Sequence, residues 1–79
     1  MNNLEKYNEA FKEVFDVDVD QLEGLTYQGI EAWDSVGHMG LVGALEEKFM
    51  IMMEMDDIIE FSSYEKGKEI LAENYEIEF

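Results

Sequence analysis

Apolar side chains recur at three- and four-residue steps near the start of the chain: Leu4, Tyr7, Phe11, Val14 and Phe15. That spacing places them on one face of an α-helix and leaves Glu5, Lys6, Glu9, Lys12 and Glu13 outside the stripe. Asn2 followed by Glu5 is an N-terminal capping signal, so a helix is expected over residues 3 to 15. The period returns from Ser35, with His38, Leu41, Val42, Leu45 and Phe49 at the same helical steps. A last stretch opens at Ser62-Ser63-Tyr64-Glu65, which reads as a capping box, and runs through about Tyr75. Its inner stripe is Tyr64, Gly67, Leu71 and Tyr75, helped by Ile70.

Between the first two helices, Asp16 to Asp34 forms a long connection. Leu22, Leu25, Ile30 and Trp33 are placed to tuck against the helices, while Gly24 and Gly29 allow turns. Met50 to Met55 has the length of a strand or a loop, and helices on both sides favour the loop. Asp56 to Phe61 makes a short acidic helical turn. The expected fold is all-α: a small four-helix bundle with a long loop between helices one and two and a short third helix.

A chain of 79 residues with no cysteine and one histidine has neither a disulfide scaffold nor the His/Cys cluster of a structural zinc site. Only a packed core can hold it, and 47% hydrophobic residues with 13% aromatics are enough to build one. No proline, Ser/Gly-rich linker or repeat marks a boundary, so residues 1 to 79 are read as one domain. The longest apolar run, Phe49-Met50-Ile51-Met52-Met53, is far short of the roughly 20 residues that span a bilayer, and no basic-then-apolar signal opens the chain. A cytoplasmic monomer without membrane insertion is expected. Five lysines against 20 carboxylates give a formal charge of −15. Such a field repels nucleic acid and anionic lipid and steers the chain toward basic proteins.

The informative segment runs from Trp33-Asp34-Ser35 through Phe49. At a helix start several N–H groups lack internal partners and the macrodipole adds partial positive charge, so a phosphate ester on Ser35 would be stabilised there. The plain alternative is that Ser35 is an N-cap worth about 1 kcal/mol. Asp34-Ser35, then apolar Val36, His38-Met39, Leu41-Val42, Ala44-Leu45-Glu46-Glu47 and Phe49, resembles the acyl carrier protein family and its aminoacyl and peptidyl carrier relatives. The resemblance extends over essentially the whole chain, including the short acidic helix at Asp56-Asp57-Ile58 and the Ser-Ser-capped final helix.

That resemblance implies a 4′-phosphopantetheine arm on Ser35, derived from coenzyme A, with Asp34 and Val36 engaging the phosphopantetheinyl transferase. It implies a carrier of acyl groups held as thioesters, without catalysis of its own, for fatty acid, polyketide or related biosynthesis. Partner enzymes with basic patches, acyl- or aminoacyl-activating and condensing, would meet Val36, Met39, Glu46, Glu47, Glu54, Asp56, Asp57 and Glu60. Val36 stands where the family most often has leucine. Gly40 and Gly43 stand where many members have an acidic residue and a methionine. The alternatives are an aminoacyl or peptidyl carrier of a nonribosomal-peptide-like or D-alanyl-transfer pathway, and an unmodified acidic interaction protein.

Gly37, Gly40 and Gly43 each cost roughly 0.5 to 1 kcal/mol against alanine in a helix. Either the arm, its cargo or a partner comes close on that side, or the preceding loop packs tightly against it. The six methionines suit flexible gap filling around a cavity, and a soft, Met-lined interior would partly shelter an aliphatic chain. Asp16-Val17-Asp18-Val19-Asp20 looks like a calcium loop but has Gln21 and Tyr27 where an EF-hand needs glycine and glutamate. It is read as a solvated acidic loop start. Asp34, Ser35 and His38 hold the residue types of a hydrolytic triad. However, Trp33 occupies the nucleophile-elbow glycine position, and His38 is expected to be a partly buried helix residue.

Overall fold

Asn2 Oδ1 accepts the Glu5 N–H at 2.8 Å and starts helix α1, Asn3–Phe15, in the computed structural model, which describes residues 2–79. The helix stops at Asp16, whose left-handed backbone (φ 54°) turns its N–H back to the Lys12 carbonyl at 2.9 Å. Tyr7, Ala10, Phe11 and Phe15 are buried and Val14 is half-buried, while Leu4 sits exposed at the rim of the stripe.

Three further helices follow: α2 Ser35–Phe49, α3 Met55–Glu60 and α4 Tyr64–Asn74. Among the described residues there is no strand, only one isolated bridge between Thr26 and Ser63. No helix among them is long and apolar enough to cross a membrane. The all-α, four-helix expectation therefore holds, with a long first connection and a short third helix. Residues 50 to 54 form an irregular connection, the loop expected over Met50 to Met55 except that Met55 opens α3, one residue before the expected Asp56.

The connection from 16 to 34 is anchored at several points. Val17, Leu22, Leu25 and Trp33 are buried and Ile30 is half-buried. A short 3₁₀ turn, Val19–Gln21, is tied by the Asp18 N–H donating to Gln21 Oε1 at 2.9 Å. Gly24 takes φ +80°, a conformation that favours glycine. Tyr27 N–H donates to the Ser62 carbonyl and Tyr64 N–H to the Leu25 carbonyl, both at 2.9 Å. These two bonds clip the loop to the junction of α3 and α4.

Helix α4 starts one residue later than the capping-box pattern places it. Ser63 Oγ accepts the Lys66 N–H at 2.9 Å, so the third helical residue is Lys66 rather than Glu65. A lysine cannot return the reciprocal bond, and the box is reduced to a simple cap. Gly67 is buried, and a side chain there would collide with the Phe61 ring and the Tyr7 hydroxyl, so the position requires glycine.

The core is aromatic. Trp33 stacks on Phe15 at 5.2 Å and meets Phe11 edge-on at 5.5 Å; Phe11 in turn meets Tyr64 edge-on at 5.3 Å. Such pairs contribute about 0.5–1.5 kcal/mol each beyond the area they bury. This overturns the Met-lined interior. Met39, Met50, Met52 and Met55 are exposed, and Met53 alone of the described methionines is buried. Rigid rings fill the volume that methionine would have filled, and Met50, Met52 and Met55 lie on the outside while Ile51 and Met53 turn inward. At the far end Phe79 packs on Tyr7 and Phe49 at 5.3 and 6.4 Å, and Asn3 Nδ2 donates to the Glu78 carbonyl at 3.0 Å.

Candidate functional site

Trp33 is the fixed point from which the start of α2 is built. It is fully buried, while Asp34, Ser35 and Val36 directly after it are exposed. Asp34 Oδ1 accepts the Gly37 N–H at 2.8 Å and is the N-cap of α2. Ser35 is therefore the first helical residue and not the cap, and its side chain is exposed. The N–H groups of Ser35 and Val36 have no acceptor within the helix. A phosphate ester on Ser35 would stand on an exposed residue at the positive end of a 15-residue helix.

Gly37 explains how closely the loop approaches. A Cβ there would strike the Ala32 carbonyl oxygen and crowd the Phe15 ring. The loop alternative thus applies at Gly37. Gly40 would place a Cβ in ordinary contact with Val14, and Gly43 faces open space. The three glycines share a spacing but not a cause.

His38 joins three elements. Trp33 Nε1–H donates to His38 Nδ1 at 2.9 Å, and His38 Nε2 lies 2.7 Å from the Ile58 carbonyl oxygen. Since Nδ1 accepts, Nε2 must carry the proton and donate to Ile58. Both ring nitrogens are committed to Trp33 and Ile58, and His38 is half-buried, as its place on the inner stripe requires. Tyr27 meets this ring edge-on at 5.5 Å.

Beside Ser35, between α2 and α3, lies an apolar groove of about 390 Å³ whose lining includes Tyr27, His38, Met39, Met55, Ile59 and Phe61. Its rim is unusually open for apolar residues. Ile59 is 71% exposed, Met55 70% and Met39 55%; Val36, 80% exposed, follows Ser35 on the surface of α2 without lining the groove. Met55 and Ile59 were not evident as site residues from spacing alone. The usable signal is that adjacent isoleucines on a six-residue helix cannot both face the core: Ile58 turns inward and Ile59 outward.

The predicted acidic residues divide into two groups. Glu47, Glu54, Asp56 and Glu60 are exposed. Asp57 is buried and leaves the surface set. Asn74 Nδ2 donates to its Oδ1 at 2.8 Å and Tyr75 Oη to its Oδ2 at 2.7 Å, so it holds α3 against the end of α4. Tyr75 Oη also accepts the Glu54 N–H at 2.8 Å. Glu46 is half-buried, with Oε2 accepting the Met53 N–H at 2.9 Å, which fixes the connection after α2.

All five cations are lysines, and none falls between residues 13 and 47 or between 49 and 65. Lys48 pairs with Glu13 at 3.2 Å, about 20 Å along α2 from Ser35. Lys12 pairs with Glu9 at 3.7 Å and Lys68 with Glu65 at 3.4 Å, on α1 and α4. The Ser35 end of α2, and α3 beside it, therefore supply no positive side chain. Among the described residues no group of three or more His, Asp or Glu is placed to hold a metal, the Asp16 to Asp20 stretch included.

Searches of protein-family models, curated proteins and solved structures return no match to this chain.

Proposed function

We propose that this chain is a carrier protein of the acyl carrier protein type, bearing 4′-phosphopantetheine on Ser35 and presenting acyl cargo to basic partner enzymes. The observation that carries the proposal is the setting of Ser35. Its side chain is exposed on the first turn of α2, directly after the Asp34 cap and beside an apolar groove. When bound, the group supplies a thiol on a flexible arm, to which cargo is joined as a thioester. The order of a long loop, an Asp-Ser helix, a short acidic helix and a final helix accords with the resemblance in the sequence.

The chain's own residues do the rest by position. Asp34 caps the first turn, on which Ser35 is exposed, and Val36 adds an apolar contact next to it for the transferase. Glu47, Glu54, Asp56 and Glu60 attract Lys and Arg surfaces, giving fast association with modest affinity, which suits a shuttle that must also let go. Tethering raises the effective concentration of cargo at each partner's active site.

Gly40 and Gly43 leave bare surface on α2 where fatty-acid carriers usually have side chains. This favours, as a second reading, an aminoacyl or peptidyl carrier. Loading the arm-bearing form with cargo-activating enzymes and weighing the product separates acyl from aminoacyl cargo.

The deciding experiment is an intact mass measurement after incubation with coenzyme A and a broad-specificity phosphopantetheinyl transferase. The expected result is the gain of one phosphopantetheine by the wild type and none by Ser35→Ala. An unchanged wild-type mass would refute the carrier proposal and leave an acidic interaction protein.

A further inference from the structure

The chain has no cysteine, so its thioethers are its most readily oxidised side chains. Their placement is uneven. Met53 is 7% exposed, whereas Met39 and Met55 stand open on two different helices and line the same groove at Ser35. A core made of aromatic rings has no use for these two side chains, and nothing in the fold covers them. We propose that Met39 and Met55 are a peroxide-modifiable pair that sets the polarity of the groove beside Ser35, and so regulates access to that serine. This rests on the carrier reading of Ser35.

The chemistry needs only a hydroperoxide as oxidant. A sulfur lone pair attacks the distal peroxide oxygen, the O–O bond breaks and an S=O bond forms. The displaced oxygen leaves with the two protons as water when the oxidant is hydrogen peroxide. Sulfur is oxidised by two electrons and the peroxide is reduced by two. Each sulfoxide puts a strong hydrogen-bond acceptor beside Ile58, Ile59 and Phe61, the apolar part of a wall that also holds Ser35, Ser62, His38 and Tyr27. An apolar contact seated there would have to strip that acceptor of water, a desolvation cost the thioether does not carry. Methionine sulfoxide reductases reverse the change, so the device can be reset.

Two measurements test this on the full-length chain. Peptide mass mapping during a hydrogen peroxide time course reads each methionine separately. Met39 and Met55 should oxidise well before Met53, and equal rates at Met53 and the groove pair would overturn the proposal. The second measurement is the rate of phosphopantetheine transfer onto Ser35 before and after peroxide. Wild type should slow several-fold, Met39→Leu/Met55→Leu should be insensitive, and Met50→Leu/Met52→Leu should slow like wild type. Equal wild-type rates before and after treatment, or the same slowing in the Met39→Leu/Met55→Leu variant, would sink the proposal while leaving the carrier reading intact. Failure of the untreated wild type to accept the group would remove both.

Discussion

Trp33 Nε1–H donates to His38 Nδ1 at 2.9 Å, which joins the end of the long loop to the second turn of α2. The same imidazole reaches the Ile58 carbonyl of α3 through Nε2 at 2.7 Å. One side chain thereby holds the loop and both walls of the groove at Ser35.

This bond dictates a tautomer. Nitrogen-resolved NMR should show neutral His38 protonated on Nε2 and bare on Nδ1, and the reverse pattern would contradict the geometry. Trp33→Phe removes the donor and leaves a half-buried acceptor unpaired, a loss of about 1–3 kcal/mol in urea unfolding.

The helix glycines should respond in opposite directions. Gly37→Ala drives a Cβ into the Ala32 backbone, which cannot yield as a side chain would, and should cost about 1–3 kcal/mol. Gly43→Ala meets nothing within 4 Å and should stabilise α2 by about 0.5–1 kcal/mol. Melting temperatures of the two variants, moving down and up respectively, check both statements.

Adjacent aspartates in α3 should differ sharply. Asp57→Ala strips Asn74 and Tyr75 of their shared acceptor and should cost about 1–3 kcal/mol. Asp56→Ala touches an exposed carboxylate and should stay within about 0.5 kcal/mol of wild type. Urea midpoints read the contrast directly.

Alkaline pH should destabilise the fold through Tyr7. Its hydroxyl donates to the Tyr64 carbonyl at 2.6 Å. Burial first, then the neighbouring Tyr64 and Glu65, hold that hydroxyl well above the ordinary tyrosine range. The native state keeps a proton that the unfolded chain releases near pH 10, so this stabilisation is complete below about pH 10 and is lost as pH rises further. Tyr64 shifts the same way, through burial and Glu65, opposed by its bond to Asn8. Unfolding free energy measured between neutral and strongly alkaline pH should fall above that point. Tyr7→Phe should lower stability at neutral pH by about 1 kcal/mol and flatten part of the alkaline decline.

Much of the site was legible from residues alone because its parts are local. The Asp34-Ser35 pair at a helix start and the stripe of α1 depend on neighbours within a turn or two, and the helical period alone puts His38 on the inner stripe, where Ile58 of α3 then meets it. Asp57 was misread because its partners, Asn74 and Tyr75, lie on the next helix, and a carboxylate's burial depends on what packs over it. The methionines were misread for a related reason. Hydrophobicity says that Met50, Met52 and Met55 favour burial, but the aromatic rings had already filled the interior.

What the sequence by itself determined is helix position: hydrophobic period and capping residues act through bonds within each segment, so α1 and the start of α2 followed without knowledge of the rest. Only the tertiary structure decided how the segments meet. The groove draws Tyr27 from the loop, Met39 from α2 and Ile59 from α3, residues brought together when the loop is clipped at Tyr27 and Tyr64 and tied through Trp33 and His38. Those contacts form between side chains distant along the chain, and their geometry is set by packing that no local pattern encodes.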